Sequence, residues 1–347
     1  MEKKLTEAEQ WYEKNKLLFE QFSEEIEEII TKILKIQGIP YQSIAHRVKS
    51  KESYLKKCSK EKYTNPIEEI TDVSGIRVIA YTNEEVKKIC EILQNEFAID
   101  KEKSVNKSII LETDRVGYRS FHFILQLNES RTNLPEYIAY KDLKCEVQVR
   151  TLLQHAWAEI EHDRNYKFAG VLPDEIKRRF HLVAGVLEMM DSEFDRLSRD
   201  IDEYSICTEK AVAEGNYNLS IDSKSLEQYG LKRFEGIIDI EPCSDGTIIS
   251  EEVVQELINF GYDTIQSIEN DVNKYIDILA KKTPTTLVGV CRDLMFLKDC
   301  NRYFSKAYKG QWQGTSVNHI NFLKRNGVSD IDKYIKENKI YISRGDE

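Results

Sequence analysis

Three stretches of this 347-residue chain gather side chains that could do chemistry together. The first, "HRVKSKESYLKK" (46–57), sets Arg47, Lys49, Lys51, Lys56 and Lys57 beside Ser50 and Ser53. At a helix entrance, such cations and hydroxyls converge with the free N–H groups of the first turn on anionic oxygens, as phosphates require. The second, "EITDVSGIRVIAY" (69–81), places Asp72 just before an apolar strand and Arg77 inside it. A carboxylate at a sheet edge can hold Mg²⁺, which favours one or two carboxylates plus substrate phosphates. An Arg among Ile, Val and Ala must emerge toward a polar group or stack on a flat ring. The plain alternative is that Asp72 and Arg77 neutralise each other. In the third, "CEVQVRT" (145–151), Glu146, Gln148 and Arg150 alternate on one strand face, opposite Val147 and Val149. Glu146 there is either a metal ligand or the base that takes a hydroxyl proton.

A fourth stretch, "DRVGYRSFHFILQL" (114–127), runs from a Gly-Tyr-Arg-Ser turn into an alternating strand that carries His122. A turn and a half-buried strand would explain it, but an exposed Tyr118 beside Arg119 also offers a flat platform on which a base can stack. His155 and His162 lie two helical turns apart, wider than a zinc pair needs, so packing or substrate hydrogen bonds fit them better. The His162-Asp163 pair lacks the further His and Asp motifs of a metal hydrolase.

The elements that must position these groups follow from periodicity. Residues 6–37 read as a long amphipathic helix through Phe19, Phe22, Ile26, Ile30 and Leu34. A second helix covers 50–59, and 83–97 form a third with Asn83 as N-cap. Strands are expected at 75–81, about 107–111, 119–127 and 143–149, followed by helices at 152–167 and 173–199. Alternating helices and strands give an α/β (α+β) domain with a mixed sheet flanked by helices, ending near residue 200. Residues 205–347 read as a mainly helical second domain. "LINFGYDTIQSI" (257–268) and "FLKRNGVSDIDKYI" (322–335) both run helix, Gly, turn, helix, and "LEQYGLKRF" (226–234) is a candidate third copy. Trp312, in "GQWQGTSVNHINFLK" (310–324), suits either an interface anchor or a buried core.

Composition narrows the class. The net charge of −10 argues against a DNA-coating protein, and no apolar run is long enough to span a bilayer. Seven cysteines without a CxxC pair fit small buried side chains in a reducing cytoplasm. Charge is uneven: residues 201–277 carry 5 Lys/Arg against 17 Asp/Glu, and residues 278–347 carry 13 against 7. The acidic and basic halves of the second domain suit a protein ligand or self-docking. Residues 205–347 are accordingly expected to be a regulatory or partner-binding domain, and a homo-oligomer is a further expectation.

Taken in order, the four motifs resemble the synthetase domain of the RelA/SpoT family, the alarmone synthetases, over residues about 19–167. The resemblance implies a nucleotidyltransferase-like sheet and Mg²⁺-dependent transfer of pyrophosphate from ATP to a ribose hydroxyl. It implies that Arg47 and Arg77 border the donor adenine and that Lys49, Ser53 and Lys56 bind the donor phosphates. Asp72 and Glu146 would hold Mg²⁺, Tyr118 and Arg119 would meet the acceptor, and His122, Gln148 and Arg150 would orient it. Asp114 stands where these synthetases commonly carry Lys, which puts GDP or GTP as acceptor in doubt. Only about 46 residues precede the first motif, so the family's hydrolase domain is not expected. Two alternatives remain open on the sequence. One is a toxin-type enzyme acting on the tRNA 3′ end or on adenosine nucleotides, its second domain a fused antitoxin or phage sensor. The other is an inactive nucleotide-binding module.

Overall fold

The computed structural model describes residues 2–106, 120–167 and 172–343. They divide into two compact units, Met1–Arg199 and Asp200–Glu347. The first unit opens with α1 (Glu2–Ile36), β1 (Ser43–Val48), α2 (Lys51–Cys58) and α3 (Pro66–Glu69). Then come β2 (Ser74–Ala80), α4 (Asn83–Glu96), β3 (Phe97–Ile99) and β4 (Val105–Asn106). After β5 (Phe121–Leu127), α5 (Glu129–Thr132) and β6 (Cys145–Thr151), the helices α6 (Leu152–Lys167) and α7 (Asp174–Ala213) complete it, the division between units falling inside α7. The expected strand near 107–111 lies outside the described residues.

The sheet has the order β1-β2-β6-β5-β3, with β4 added against β5. It is mixed: β2 and β6 run parallel, whereas β1–β2 and β5–β6 run antiparallel. Phe22, Ile26 and Ile30 of α1 and Ile89 and Leu93 of α4 bury against Ile76, Val78, Val147 and Val149 of the sheet. Each such side chain contributes about 1.5–3 kcal/mol by leaving water. That core fixes which face of β6 turns inward, and strand alternation then sends Glu146 and Gln148 to the other face. A one-residue slip would bury the carboxylate and expose the valines.

Two local assignments differ from the sequence reading. Arg47 lies on β1, not at a helix entrance: it pairs in register with Gly75, and α2 starts only at Lys51, with Ser50 as N-cap. The helix at 83 is capped by Thr82, whose hydroxyl accepts from the Glu85 N–H while the Glu85 carboxylate accepts from the Thr82 N–H. α7 also extends beyond residue 199, to Ala213.

The second unit contains α8 (Ser223–Phe234), β7 (Ile240–Glu241), α9 (Glu251–Phe260), α10 (Ile265–Leu279) and β8 (Thr285–Thr286). It ends with α11 (Leu287–Arg302), β9 (Gly314–Ser316), α12 (Val317–Arg325), α13 (Ile331–Glu337) and β10 (Tyr341–Ser343). The repeated pattern is a structural one. α9 starts after the Ser250 cap and stops at Gly261, at φ 103°, before the Thr264 cap of α10. α12 starts after the Ser316 cap and stops before Gly327, at φ 98°, with Asp330 leading into α13. Cap, glycine and second cap keep the same spacing in both, because a left-handed residue is what reverses the chain after a helix. The third copy departs: α8 is followed by Gly236 and a short strand. Trp312 packs on this unit's core and its indole N–H donates to the Tyr303 hydroxyl at 2.8 Å, so it anchors its own unit.

Candidate active site

On the face of the sheet away from the α1–α4 core, strand register does the assembling. Arg47, Gly75 and Glu146 form one row across β1, β2 and β6, and Arg77, Gln148 and His122 form the next across β2, β6 and β5. Gly75 leaves room for Arg47 to lie across the sheet: a Cβ there would stand 3.5 Å from the Arg47 Cγ and Nε. A cavity of about 130 Å³ opens beside them, lined by Arg47, Gly75, Arg77, Glu146 and Gln148.

Glu146 is the centre of a chain of polar contacts. The His122 imidazole Nδ1 lies 3.1 Å from one of its oxygens, and the Gln148 amide donates to the other at 3.0 Å. Gln148 in turn accepts from the Arg150 guanidinium, and the Ser120 hydroxyl meets the His122 Nε2 at 2.7 Å. Burial pushes the Glu146 carboxyl up, but the bonds from His122 and Gln148, with the charge of Lys57 behind them, hold it down to about 2. Arg150 is buried, and burial together with the charge of Arg77, and more weakly Arg47, pushes its guanidinium down to about 10. Three guanidinium groups gathered on one sheet face, only partly offset by Glu159 and Glu146, favour the uptake of an anion.

Asp72 approaches from the loop before β2. One carboxylate oxygen accepts from Lys57 of α2 at 2.7 Å and lies 3.1 Å from the Lys49 ammonium. Lys49 is itself placed by the backbone: its N–H donates to Val73 and its carbonyl accepts from the buried Tyr12 hydroxyl at 2.7 Å. The second Asp72 oxygen is buried and has no hydrogen-bond partner. Arg77 pairs with Glu159 of α6 at 3.2 Å, so Asp72 and Arg77 do not neutralise each other.

The structure thus brings together Arg47, Lys49, Asp72, Arg77, His122, Glu146, Gln148 and Arg150. Ser53 is exposed at the start of α2 and hydrogen-bonds the Ser50 cap. From α2 it is Lys57 that reaches Asp72, while Lys56 is exposed; Lys51 ties α2 to Glu9 and Glu13 of α1. Tyr118 and Arg119 lie outside the described residues. Sequence reasoning missed Glu159; His155, read as suited to packing or substrate hydrogen bonds, lies near Arg77 and Arg150, whose charges together with burial lower its pKa. Helical spacing was the available signal, since His155 and Glu159 are one turn apart. His162 is exposed.

A pair of carboxylates ringed by cations on an open sheet face is built for polyphosphate. Residues 46–170 match the model of the region found in RelA / SpoT proteins. The matched residues include every candidate site residue from Arg47 to Arg150. Over 167 residues the chain is 28% identical to the GTP pyrophosphokinase YjbM of Bacillus subtilis, covering 47% of this chain and 75% of that one. It is 26% identical over 168 residues to YwaC, a GTP pyrophosphokinase of the same organism, with 47% and 76% covered. Among solved structures, small alarmone synthetase 1 from Bacillus subtilis bound to its product pppGpp is 24% identical, with 55% of this chain and 98% of that chain covered and a TM-score of 0.47.

Proposed function

We propose that the first unit is an ATP-dependent pyrophosphokinase that transfers the β,γ-diphosphate of ATP to the 3′-hydroxyl of GDP or GTP. The observation that carries this reading is the convergence of Arg47, Arg77 and Arg150 with Lys49 and Lys57 around two carboxylates, one of which keeps a buried oxygen without a partner. The donor set fits Mg²⁺: Asp72 through its unpaired oxygen, and Glu146 as a permanently ionised carboxylate. When bound, the ion would supply charge neutralisation at the donor phosphates.

In the reaction, the ribose O3′ forms a bond to Pβ and gives up its proton to water, the bond from Pβ to the α,β-bridging oxygen breaks, and AMP leaves with that oxygen. Such a transfer needs positioning and neutralisation more than covalent help. Lys49, Lys57 and the arginines hold the donor phosphates, and the flat guanidinium of Arg47 or Arg77 offers the adenine a stacking surface. The wider recess of about 650 Å³ beside His46 and Arg47 carries mixed charge, Glu13 and Glu20 being paired with Lys51 and Lys16, and offers room for the nucleoside part of the donor. Glu146, held near 2, is a weak proton acceptor as it stands, so its first role is to hold an ion and orient His122. Tyr118 and Arg119, on the sequence resemblance, meet the acceptor base and phosphates.

The test is an acceptor panel. The protein is incubated with Mg²⁺, γ-labelled ATP and, separately, GDP, GTP, ATP or tRNA, and the labelled products are separated. Label on GDP or GTP supports the reading; label confined to tRNA or adenosine nucleotides replaces the acceptor; no labelled product with any of them refutes transfer.

A further inference from the structure

Arg77 leaves β2 on the site face, but its direction is set from another element. α6 follows β6 without a loop and packs against β2 and β6. His155 and Glu159, one turn apart on α6, are thereby carried to the arginines. One oxygen of Glu159 lies 3.2 Å from the Arg77 Nη1 and 3.8 Å from the His155 Nδ1. Burial and the charges of Arg77 and Arg150 lower the His155 imidazole, so it is neutral at pH 7 and does not compete for that oxygen as a cation. The Glu159 charge also acts on Arg150, where it favours the guanidinium. As a contribution to folding the Arg77–Glu159 pair is minor, because the Glu159 side chain is 56% exposed and water screens such pairs. Its geometry is more telling. A guanidinium held at one edge keeps its flat faces open, and a planar ring can lie on one of them. Arg77 and Arg47 both line the cavity of about 130 Å³ that would receive such a ring.

We infer that Glu159 is a positioning residue: it holds Arg77 as a stacking surface for the donor base and so gives the site its preference for an adenine nucleotide over bare polyphosphate. The inference rests on the donor reading proposed above. Without this carboxylate, Arg77 is a long side chain free to turn, and a free guanidinium is best suited to a bidentate grip on phosphate. Glu159 opposes that in two ways. It occupies one edge of the guanidinium, and it offsets part of the charge that Arg47, Arg77 and Arg150 gather on the sheet face. Lys49 and Lys57, beside Asp72, are left to the phosphates. Two effects of opposite sign follow. Loss of Glu159 should loosen the hold on the base while keeping or strengthening the hold on phosphate.

The test titrates the full chain with ATP and, separately, with inorganic tripolyphosphate, both with Mg²⁺ and without acceptor, by isothermal calorimetry. Wild type should bind ATP more tightly than tripolyphosphate. Glu159→Ala, at an exposed helix position, should keep the wild-type circular dichroism and weaken ATP binding about tenfold. Its tripolyphosphate binding should be unchanged or tighter, because a negative charge has left the face. Glu159→Gln, whose amide oxygen still accepts from the Arg77 guanidinium, should recover most of the preference for ATP. In transfer to GDP or GTP, Glu159→Ala should raise the KM for ATP about tenfold and leave kcat within about twofold, a split that a purely structural role would not give. Tightening of both ligands alike by Glu159→Ala would show that Glu159 only damps local charge, and would overturn the positioning role. So would an ATP affinity that neither variant changes. A wild type that binds tripolyphosphate as tightly as ATP would overturn the donor reading itself, and this inference with it.

Discussion

Glu146 is an anion held by two hydrogen bonds and a nearby ammonium, which limits it to work that an anion can do. Replacing it with Gln keeps the shape, removes the charge and leaves one donor on His122 or Gln148 poorly matched. Glu146→Gln should lower transfer by roughly two to three orders of magnitude, because the reaction loses a charged ion ligand beside the phosphates. The circular dichroism spectrum should stay that of wild type. Asp72→Asn should reduce activity as severely and also destabilise the fold, since Lys49 and Lys57 lose their shared counter-charge. Near-normal turnover by a folded Glu146→Gln protein would remove this carboxylate from the mechanism. Much at this scale was legible in the sequence. Alternation on β6 separated Glu146, Gln148 and Arg150 from the core valines, and the position of Asp72 before β2 marked it as a site carboxylate. The choice of Lys57 over Lys56 was not legible, because adjacent helix residues differ by about 100° in direction and only packing on α1 decides which one turns to Asp72. Glu159 comes from a different element, and its pairing with Arg77 depends on tertiary placement.

At the scale of elements, the paired glycine turns of the second unit give a matched expectation. Both glycines adopt a left-handed φ, which costs an alanine about 1 kcal/mol. At Gly261 a Cβ would also meet the Arg302 guanidinium at 2.1 Å, whereas at Gly327 it meets nothing within 4 Å. Because that guanidinium is the far end of a flexible side chain and can move aside, Gly261→Ala and Gly327→Ala should lower the urea midpoint by similar amounts; a much larger loss at Gly261 would show that Arg302 is held in place. Between those turns, Asp271 is buried on α10, with Lys298 at 2.5 Å, Lys274 at 2.9 Å and the Tyr262 hydroxyl at 3.1 Å. Burial pushes its carboxyl up, but the two lysines outweigh this and hold it below the ordinary value of 3.8. A depressed folded value means that its contribution is complete above about pH 4 and disappears as pH falls through that lower value. Asp271→Asn should cost about 1–3 kcal/mol at pH 7 and less at pH 3, below the ordinary carboxyl value. A urea-unfolding difference unchanged between those pH values would refute the ion pairs as its cause. The long helices and β2, β5 and β6 were readable from apolar period. β1 was not: its six residues, Ser43–Val48, carry His46 and Arg47 at an exposed sheet edge, where burial writes no alternating pattern. The Thr82 cap was displaced by one residue because Asn83 is an equally good capping type.

At the scale of the whole molecule, the second unit has its own core. Leu226, Phe260, Ile265, Leu294 and Phe296 are all buried within it. Residues 205–347 expressed alone should fold cooperatively, with near-ultraviolet dichroism from Trp312 in its aromatic cluster; a non-cooperative urea transition would show that this core depends on the first unit. No ligand is legible for the second unit, whose buried carboxylates Glu256, Asp271 and Asp293 are each paired with a cation within the unit. For the first unit the central claim is transfer of a diphosphate as one piece, and the most direct measurement follows both labels of ATP. The protein is supplied with Mg²⁺, GDP or GTP, and ATP labelled at either the β or the γ phosphorus, and AMP, ADP and the acceptor product are quantified. The account predicts that both labels reach the acceptor and that one AMP forms for each product molecule. Formation of ADP, with only the γ label transferred or released, would contradict it.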